Sequence, residues 1–156
     1  MKKEVLFIVG FLLIVVFAIS IYFINGVSAT FPPIKKYECN GKIDEFVNKL
    51  KHLKTINLTT DINIIDTIGN PKNAVGYEVI INYKSKMDGD TLRYHLKCLT
   101  NDLPNSTVIE LIGAHDLTHN TGGYGIKADG MFKLLERFNS DVILELKKTG
   151  IVLKPM

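Results

Sequence analysis

The residues of this sequence best suited to chemistry are two histidines and an aspartate in the segment 115–119. His115, Asp116 and His119 are all possible metal ligands. If the segment is helical, residues four apart share one face, and the three side chains then predict the zinc site of a hydrolase. The alternative is a solvated surface loop. We favour the loop, because the segment runs into Asn120-Thr121-Gly122-Gly123, which disfavours a helix.

A glycine-rich stretch, Gly122-Gly123-Tyr124-Gly125, precedes a predicted helix. Backbone N–H groups in such a position can surround an anion. The stretch lacks the spacing and the lysine of a P-loop, and it lacks the spacing of a dinucleotide-binding fingerprint. We therefore interpret it as a strand-to-helix connection within a loop over 114–127, and we predict no cofactor.

The chain contains only two cysteines, Cys39 and Cys98. One pair is typical of a disulfide in an oxidising compartment, and a bridge here would tie the first helix to the sheet. The alternative is a pair of buried free thiols. Neither cysteine is predicted to be catalytic.

The elements that must position these residues follow from hydrophobic periodicity. Apolar residues at three- and four-residue steps predict a helix over Lys42–Lys54. Strict alternation on both sides of Asp88-Gly89 predicts a β-hairpin over Val75–Thr100. A two-residue turn would pair the inward side chains as follows: Tyr83 with Tyr94, Ile81 with Leu96, and Val79 with Cys98.

The remaining elements complete an α+β fold. Thr107–Gly113 predicts a central strand, and Asp129–Phe138 predicts a helix. Residues 59–68 and 141–148 each suit a helix or a strand, and we favour a strand for the first and a helix for the second. The sequence predicts an antiparallel sheet of three to four strands with an N-terminal and a C-terminal helix packed on it.

The N-terminal segment is apolar and carries no charge from Val5 to Ile24. As a helix it would span about 30 Å, the thickness of the hydrocarbon core of a bilayer. We predict a transmembrane signal anchor at residues 1–30, a linker at 31–41 and one domain at 42–156. One alternative is a signal peptide cleaved near Ala29, which would give a secreted protein, and another is a buried core helix.

The charge of the chain and its predicted membrane topology limit the functions that the sequence allows. Lys2 and Lys3 before the apolar segment, together with the expected disulfide, place the domain on the extracytoplasmic side of the membrane. The net charge is only +3 and the lysines are scattered among acids, so a nucleic-acid partner is not predicted.

The sequence thus predicts a single-pass, membrane-tethered binding or accessory protein of the cell envelope that is not an enzyme and has a protein partner. An inhibitor or immunity protein is one alternative. A metal-dependent hydrolase that uses His115, Asp116 and His119 is the other.

Overall fold

The computed structural model describes residues 31–56, 60–70, 73–101 and 105–156. All the elements below belong to the unit Pro32–Met156. The predicted transmembrane helix lies in residues 1–30, outside the described residues. Within the described ranges, no helix combines the length and the apolar character needed to cross a membrane.

Seven strands form one antiparallel sheet in the described part of the chain. They are β1 (Lys35–Asn40), β2 (Thr60–Asn70), β3 (Asn73–Lys84), β4 (Thr91–Thr100), β5 (Ser106–Asp116), β6 (Thr121–Tyr124) and β7 (Leu153–Pro155). Their order is β2-β3-β4-β5-β1-β7, and β6 also pairs with β5. The prediction of three to four strands is therefore wrong, although the strand interpretation of residues 59–68 is confirmed over the described part of β2.

The strands missing from the prediction are the short ones. Residues 35–40, expected as part of a linker, form β1, in which buried Tyr37 and Cys39 alternate with more exposed neighbours. β6 is rich in glycine, and β7 has three residues and contains Pro155. Such segments have little strand propensity of their own, so their backbone pairing with β5 and β1 decides their conformation.

The β3–β4 hairpin has the predicted faces but a different register. Tyr83 pairs with Leu92, Ile81 with Tyr94 and Val79 with Leu96. The connection spans residues 85–90, and the backbone N–H of Ser85 donates to the carbonyl oxygen of Asp90 over 2.8 Å. A shift of two residues keeps every side chain on its own face, so the alternation of apolar residues cannot detect it.

Helices occur near both ends of the domain, as predicted. They are α1 (Ile43–Ile56), α2 (Met131–Arg137) and α3 (Ile143–Lys148), with a π-helical segment, Phe138–Val142, joining α2 to α3. The helix interpretation of residues 141–148 is thus confirmed. Gly150, at φ 77°, ends α3, and the backbone N–H of Ile151 donates to the carbonyl oxygen of Leu146.

The helices pack on one face of the sheet. The ring of Phe138 lies 4.9 Å from that of Tyr94 and 5.8 Å from that of Tyr37, and all three side chains are fully buried. Phe46 and Leu50 of α1 belong to the same core. The opposite face, which we call the open face, carries the alternate strand residues, among them the half-exposed Ile80, Leu99, Val108 and Ile112.

The two cysteines do not form the expected disulfide. Both are buried free thiols. Cys39 pairs with Thr107 on one side of β5, and Cys98 pairs with Ile109 on the other, so a whole strand lies between them. Two strand spacings separate the Cα atoms by about 10 Å, beyond the limit of about 7 Å for a disulfide. Burial raises the pKa of the Cys98 thiol to about 12.

Candidate functional site

The structure separates the three predicted metal ligands. Residues 106–116 form β5 rather than a helix, and consecutive strand residues point to opposite faces of a sheet. Asp116 is buried on the helix-covered side, whereas His115 lies on the open face with its ring 5.5 Å from that of Tyr124. His119 lies in the turn between β5 and β6. His115 therefore does not join Asp116 and His119, and the predicted triad is not assembled.

Asp116 and His119 do form a pair. Nδ1 of His119 lies 2.9 Å from Oδ2 of Asp116, and the backbone N–H groups of Thr118 and His119 donate to Oδ1 over 2.9 and 3.0 Å. Burial by itself would raise the pKa of Asp116, but these hydrogen bonds together lower it. The hydrogen bond and the charge of Asp116 in turn raise the pKa of the His119 imidazole.

Further groups from distant parts of the chain complete what we call the turn cluster: Asp88, Asp90, Asp116, His119 and Arg137. The guanidinium of Arg137 donates to Oδ2 of Asp90 over 3.0 Å and to Oδ1 of Asp88 over 2.8 Å. Oδ2 of Asp90 lies 3.8 Å from Nδ1 of His119. The cluster thus joins the β3–β4 turn, the β5–β6 turn and the end of α2.

The turn cluster contains a possible ligand set. One ligand atom each from Asp90, Asp116 and His119 lies within 4.8 Å of the others. Two carboxylates and an imidazole suit zinc and related divalent ions. However, both carboxylates already have cationic or N–H partners, because Arg137 donates to Asp90 and His119 pairs with Asp116. Sequence reasoning missed Asp90 and Arg137, because nothing in the spacing of the chain connects them to Asp116.

An imidazole held by a buried carboxylate is also the arrangement of a general acid–base pair. Such a pair needs a nucleophile or a positioned water to act on. Among the described residues, no side-chain hydroxyl or thiol is hydrogen-bonded to His119, which is itself 60% exposed. The hydrogen bonds between Asp116 and residues 118 and 119 hold the β5–β6 turn together.

The open face carries a second group of aromatic and titratable residues, which we call the histidine–tyrosine patch: Glu78, Arg93, His95, His115 and Tyr124. Nδ1 of His95 lies 3.1 Å from the hydroxyl of Tyr124, and the two rings meet edge to face at 5.8 Å. The ring of His115 also meets that of Tyr124 edge to face. Burial, followed by the charges of Arg93 and His95, lowers the pKa of His115.

His95 lies largely enclosed within this patch, with a side chain 12% exposed. Its Nε2 lies 3.4 Å from a carboxylate oxygen of Glu78 and makes no hydrogen bond within the described part of the chain. A neutral His95 with its proton on Nε2 would accept from the Tyr124 hydroxyl and point its N–H at Glu78. The patch is therefore a polar, aromatic surface in which one ring nitrogen, Nε2 of His95, has no hydrogen-bond partner among the described residues.

Charges on the open face alternate in sign across the strands. Glu78 pairs with Lys97, Lys97 with Glu110, and Glu110 with Lys36, in one row over four strands. Nζ of Lys36 lies 2.7 Å from the Glu110 carboxylate. Because each charge has an opposite neighbour, this row forms no large field of a single sign.

No protein-family model matches the sequence, and no curated protein matches it either.

Proposed function

We propose that this chain is a membrane-tethered, non-enzymatic binding protein of the cell envelope that holds a protein partner on the open face of its sheet. The observation that carries the proposal is the histidine–tyrosine patch on a sheet face that the described helices leave uncovered. Tyr124 is 44% exposed, and the half-exposed apolar side chains of the open face surround the charge row.

The composition of this surface supports a protein partner. Tyrosine and arginine are enriched where protein interfaces concentrate their binding energy, and Tyr124 and Arg93 both lie exposed in the patch. The edge-to-face contacts with His95 and His115 hold the Tyr124 ring in place before binding. A rigid aromatic side chain loses little conformational entropy when a partner covers it. An inhibitor or immunity protein is one form of this proposal, in which the partner is an enzyme or a toxin.

Site-specific photo-crosslinking in the full-length protein tests the open face directly. Benzoylphenylalanine at Arg93 samples the open face, and the same residue at Lys147 samples the helix-covered side, since both side chains are exposed and basic. We expect irradiated membranes to yield a discrete adduct from position 93 and none from position 147. Adding Tyr124→Ala should reduce the adduct at least tenfold.

Equal adduct yields at both positions, or an adduct from position 147 alone, would exclude the open face as the binding surface. Tyr124→Phe is the matched control for Tyr124→Ala. It keeps the ring and its edge-to-face contacts but removes the hydroxyl that lies near His95. We expect most of the adduct to be retained with this variant.

The tether and its direction form part of the proposal. The uncharged run Val5–Ile24 supports membrane attachment, and Lys2 and Lys3 support an extracytoplasmic domain under the positive-inside rule. Because the cysteines are free, they no longer support the orientation. The full-length protein should resist extraction by alkaline carbonate, and protease added outside intact cells should digest the domain. A carbonate-soluble protein whose mass shows cleavage near Ala29 would instead establish the secreted alternative.

A metal-dependent hydrolase is the second candidate, and the ligand set Asp90, Asp116 and His119 is the observation that favours it. Calorimetric zinc titration of wild type beside His119→Ala and His115→Ala separates the two candidates. We expect negligible affinity in all three proteins, because Arg137 and His119 already satisfy the carboxylates. Submicromolar affinity that is lost in His119→Ala and kept in His115→Ala would put hydrolysis ahead of the binding function.

A further inference from the structure

The entry point of the domain and one exposed loop lie at the same place on the sheet. β6 and β1 run end to end along one side of β5. The last residue of β6, Tyr124, pairs with Gly113. The first residue of β1, Lys35, pairs with Leu111. The backbone N–H of Ile34 also donates to the carbonyl oxygen of Leu111 over 2.7 Å. The first strand of the domain therefore begins next to the point where the loop that follows β6 leaves the sheet.

That loop and the first turn of α2 expose apolar side chains next to lysines. We call Ile126, Lys127, Phe132 and Lys133 the entry-side patch. Phe132 is 78% exposed and Ile126 is 40% exposed. Lys127 and Lys133 are exposed as well. Residues 126–133 line a surface cavity of about 660 Å³, and Asp129 is the only acid among them.

We propose that the entry-side patch is a membrane contact that rests on the headgroups of an anionic phospholipid bilayer, with Phe132 and Ile126 at the acyl boundary and the two lysines at the phosphates. Apolar side chains flanked by lysines are the composition of interfacial membrane-binding surfaces. The inference rests on the tether of the proposed function. The stretch between Ile24 and Pro32 extends at most about 30 Å, so a tethered domain stays within reach of the bilayer.

The tether also explains why so small a patch is sufficient. Two apolar side chains and two lysines bind a bilayer weakly from free solution. Attachment of the same chain to the membrane makes the contact intramolecular and raises its effective concentration. Docking by this patch would fix the direction in which the open face is presented, because β6 contributes Tyr124 to the open face and leads directly into the loop.

Tryptophan fluorescence in the full-length protein tests the contact, because the sequence contains no tryptophan of its own. Phe132→Trp places the probe in the patch. Met87→Trp is the matched control, since Met87 is a 90% exposed apolar residue in the β3–β4 turn, several strand residues away from the entry point. Both proteins are reconstituted into vesicles of equal parts phosphatidylcholine and phosphatidylglycerol, with and without brominated acyl chains.

We expect brominated lipid to quench the tryptophan at position 132 at least threefold more strongly than the tryptophan at position 87. Lys127→Glu with Lys133→Glu, or vesicles of phosphatidylcholine alone, should remove most of that difference. Equal quenching at the two positions, in protein that floats with the vesicles, would exclude the membrane contact of the entry-side patch but would still agree with the membrane tether. Protein that does not float with the vesicles would overturn both. Quenching that is unaffected by the lysine substitutions would contradict recognition of anionic headgroups.

Discussion

Arg137 at the end of α2 and Asp90 in the β3–β4 turn form a nearly buried ion pair with an N···O distance of 3.0 Å. The Arg137 side chain is 13% exposed and that of Asp90 is 9% exposed. Arg137 is also hydrogen-bonded to Asp88. This pair connects the C-terminal half of the domain to the central hairpin, and its loss would leave the nearly buried Asp90 carboxylate with only the His119 imidazole, 3.8 Å away, as a cationic neighbour.

Removal of the guanidinium tests this connection. Arg137→Met keeps most of the apolar stem and should lower the free energy of unfolding by about 3 kcal/mol, because breaking a buried pair strands the remaining charge. Asp88→Asn is the control, since that carboxylate is 47% exposed, and it should change stability little. Urea unfolding measures both. If both variants lower the free energy of unfolding by equal, small amounts, solvent compensates the charge of Asp90 and the ion pair does not join the two regions.

Gly122 in β6 should tolerate no side chain. Its φ is 99°, and an added Cβ would collide with the carbonyl oxygen of Ala114 and would lie 2.8 Å from Cδ1 of Leu134. Gly122→Ala should therefore destabilise the domain by about 3 kcal/mol or more, through a backbone clash added to the left-handed conformation.

Gly89 offers the comparison for Gly122. Its φ is 79° and nothing lies within 4 Å of the position that an added Cβ would occupy, so Gly89→Ala should cost only about 1 kcal/mol. Thermal unfolding of the two variants under the same conditions gives the difference. Similar melting temperatures would mean that β6 moves to make room, and that its pairing with β5 is loose.

Cys98 should be an inert core thiol. It is fully buried, and burial raises its pKa to about 12. Iodoacetamide should leave it unmodified in the native protein and label it after unfolding. Cys98→Ser should cost about 2 kcal/mol, because a buried hydroxyl without a partner loses its hydration, whereas Cys98→Ala should cost about 1 kcal/mol. A disulfide to Cys39 in protein from its native compartment would contradict the strand order β4-β5-β1.

His119 and His115 should titrate on opposite sides of the ordinary histidine pKa of about 6.5. The hydrogen bond and charge of Asp116 raise the pKa of His119, whereas burial and the nearby Arg93 lower the pKa of His115. NMR spectra of the imidazole protons resolve the two in one experiment. In Asp116→Asn, the pKa of His119 should fall towards its ordinary value and that of His115 should stay the same.

The sign of the corresponding stability effect follows from these directions. A raised pKa in the folded state means that the stabilisation from protonated His119 is complete below about pH 6.5 and is lost as the pH rises through the folded pKa. The lowered pKa of Asp116 means that its contribution is present above about pH 4 and is lost as the pH falls through its folded pKa. A difference in stability between wild type and Asp116→Asn that grows above neutral pH would contradict the pairing.

The sequence by itself determined the elements whose patterns are local. The apolar stripe of α1, the alternation in β3 and β4, the apolar run in β5 and the glycine that ends α3 each encode a conformation within a few residues. The alternation also assigns the faces of β3 and β4 correctly, because side-chain direction repeats every two residues in a strand. His115 and Asp116 illustrate the limit: their identity suggested one site, and strand alternation places them on opposite faces.

Only the tertiary structure decided which strands pair and which side chains meet. β6 is rich in glycine and β7 has only three residues, and both form strands because β5 and β1 offer backbone partners, as β5 does for β1. Asp90, Asp116 and Arg137 are far apart in the chain and meet where two turns and a helix end together. Cys39 and Cys98 are kept apart by the strand between them. Long-range pairing depends on the free energy of the whole sheet, which no local pattern of residues records.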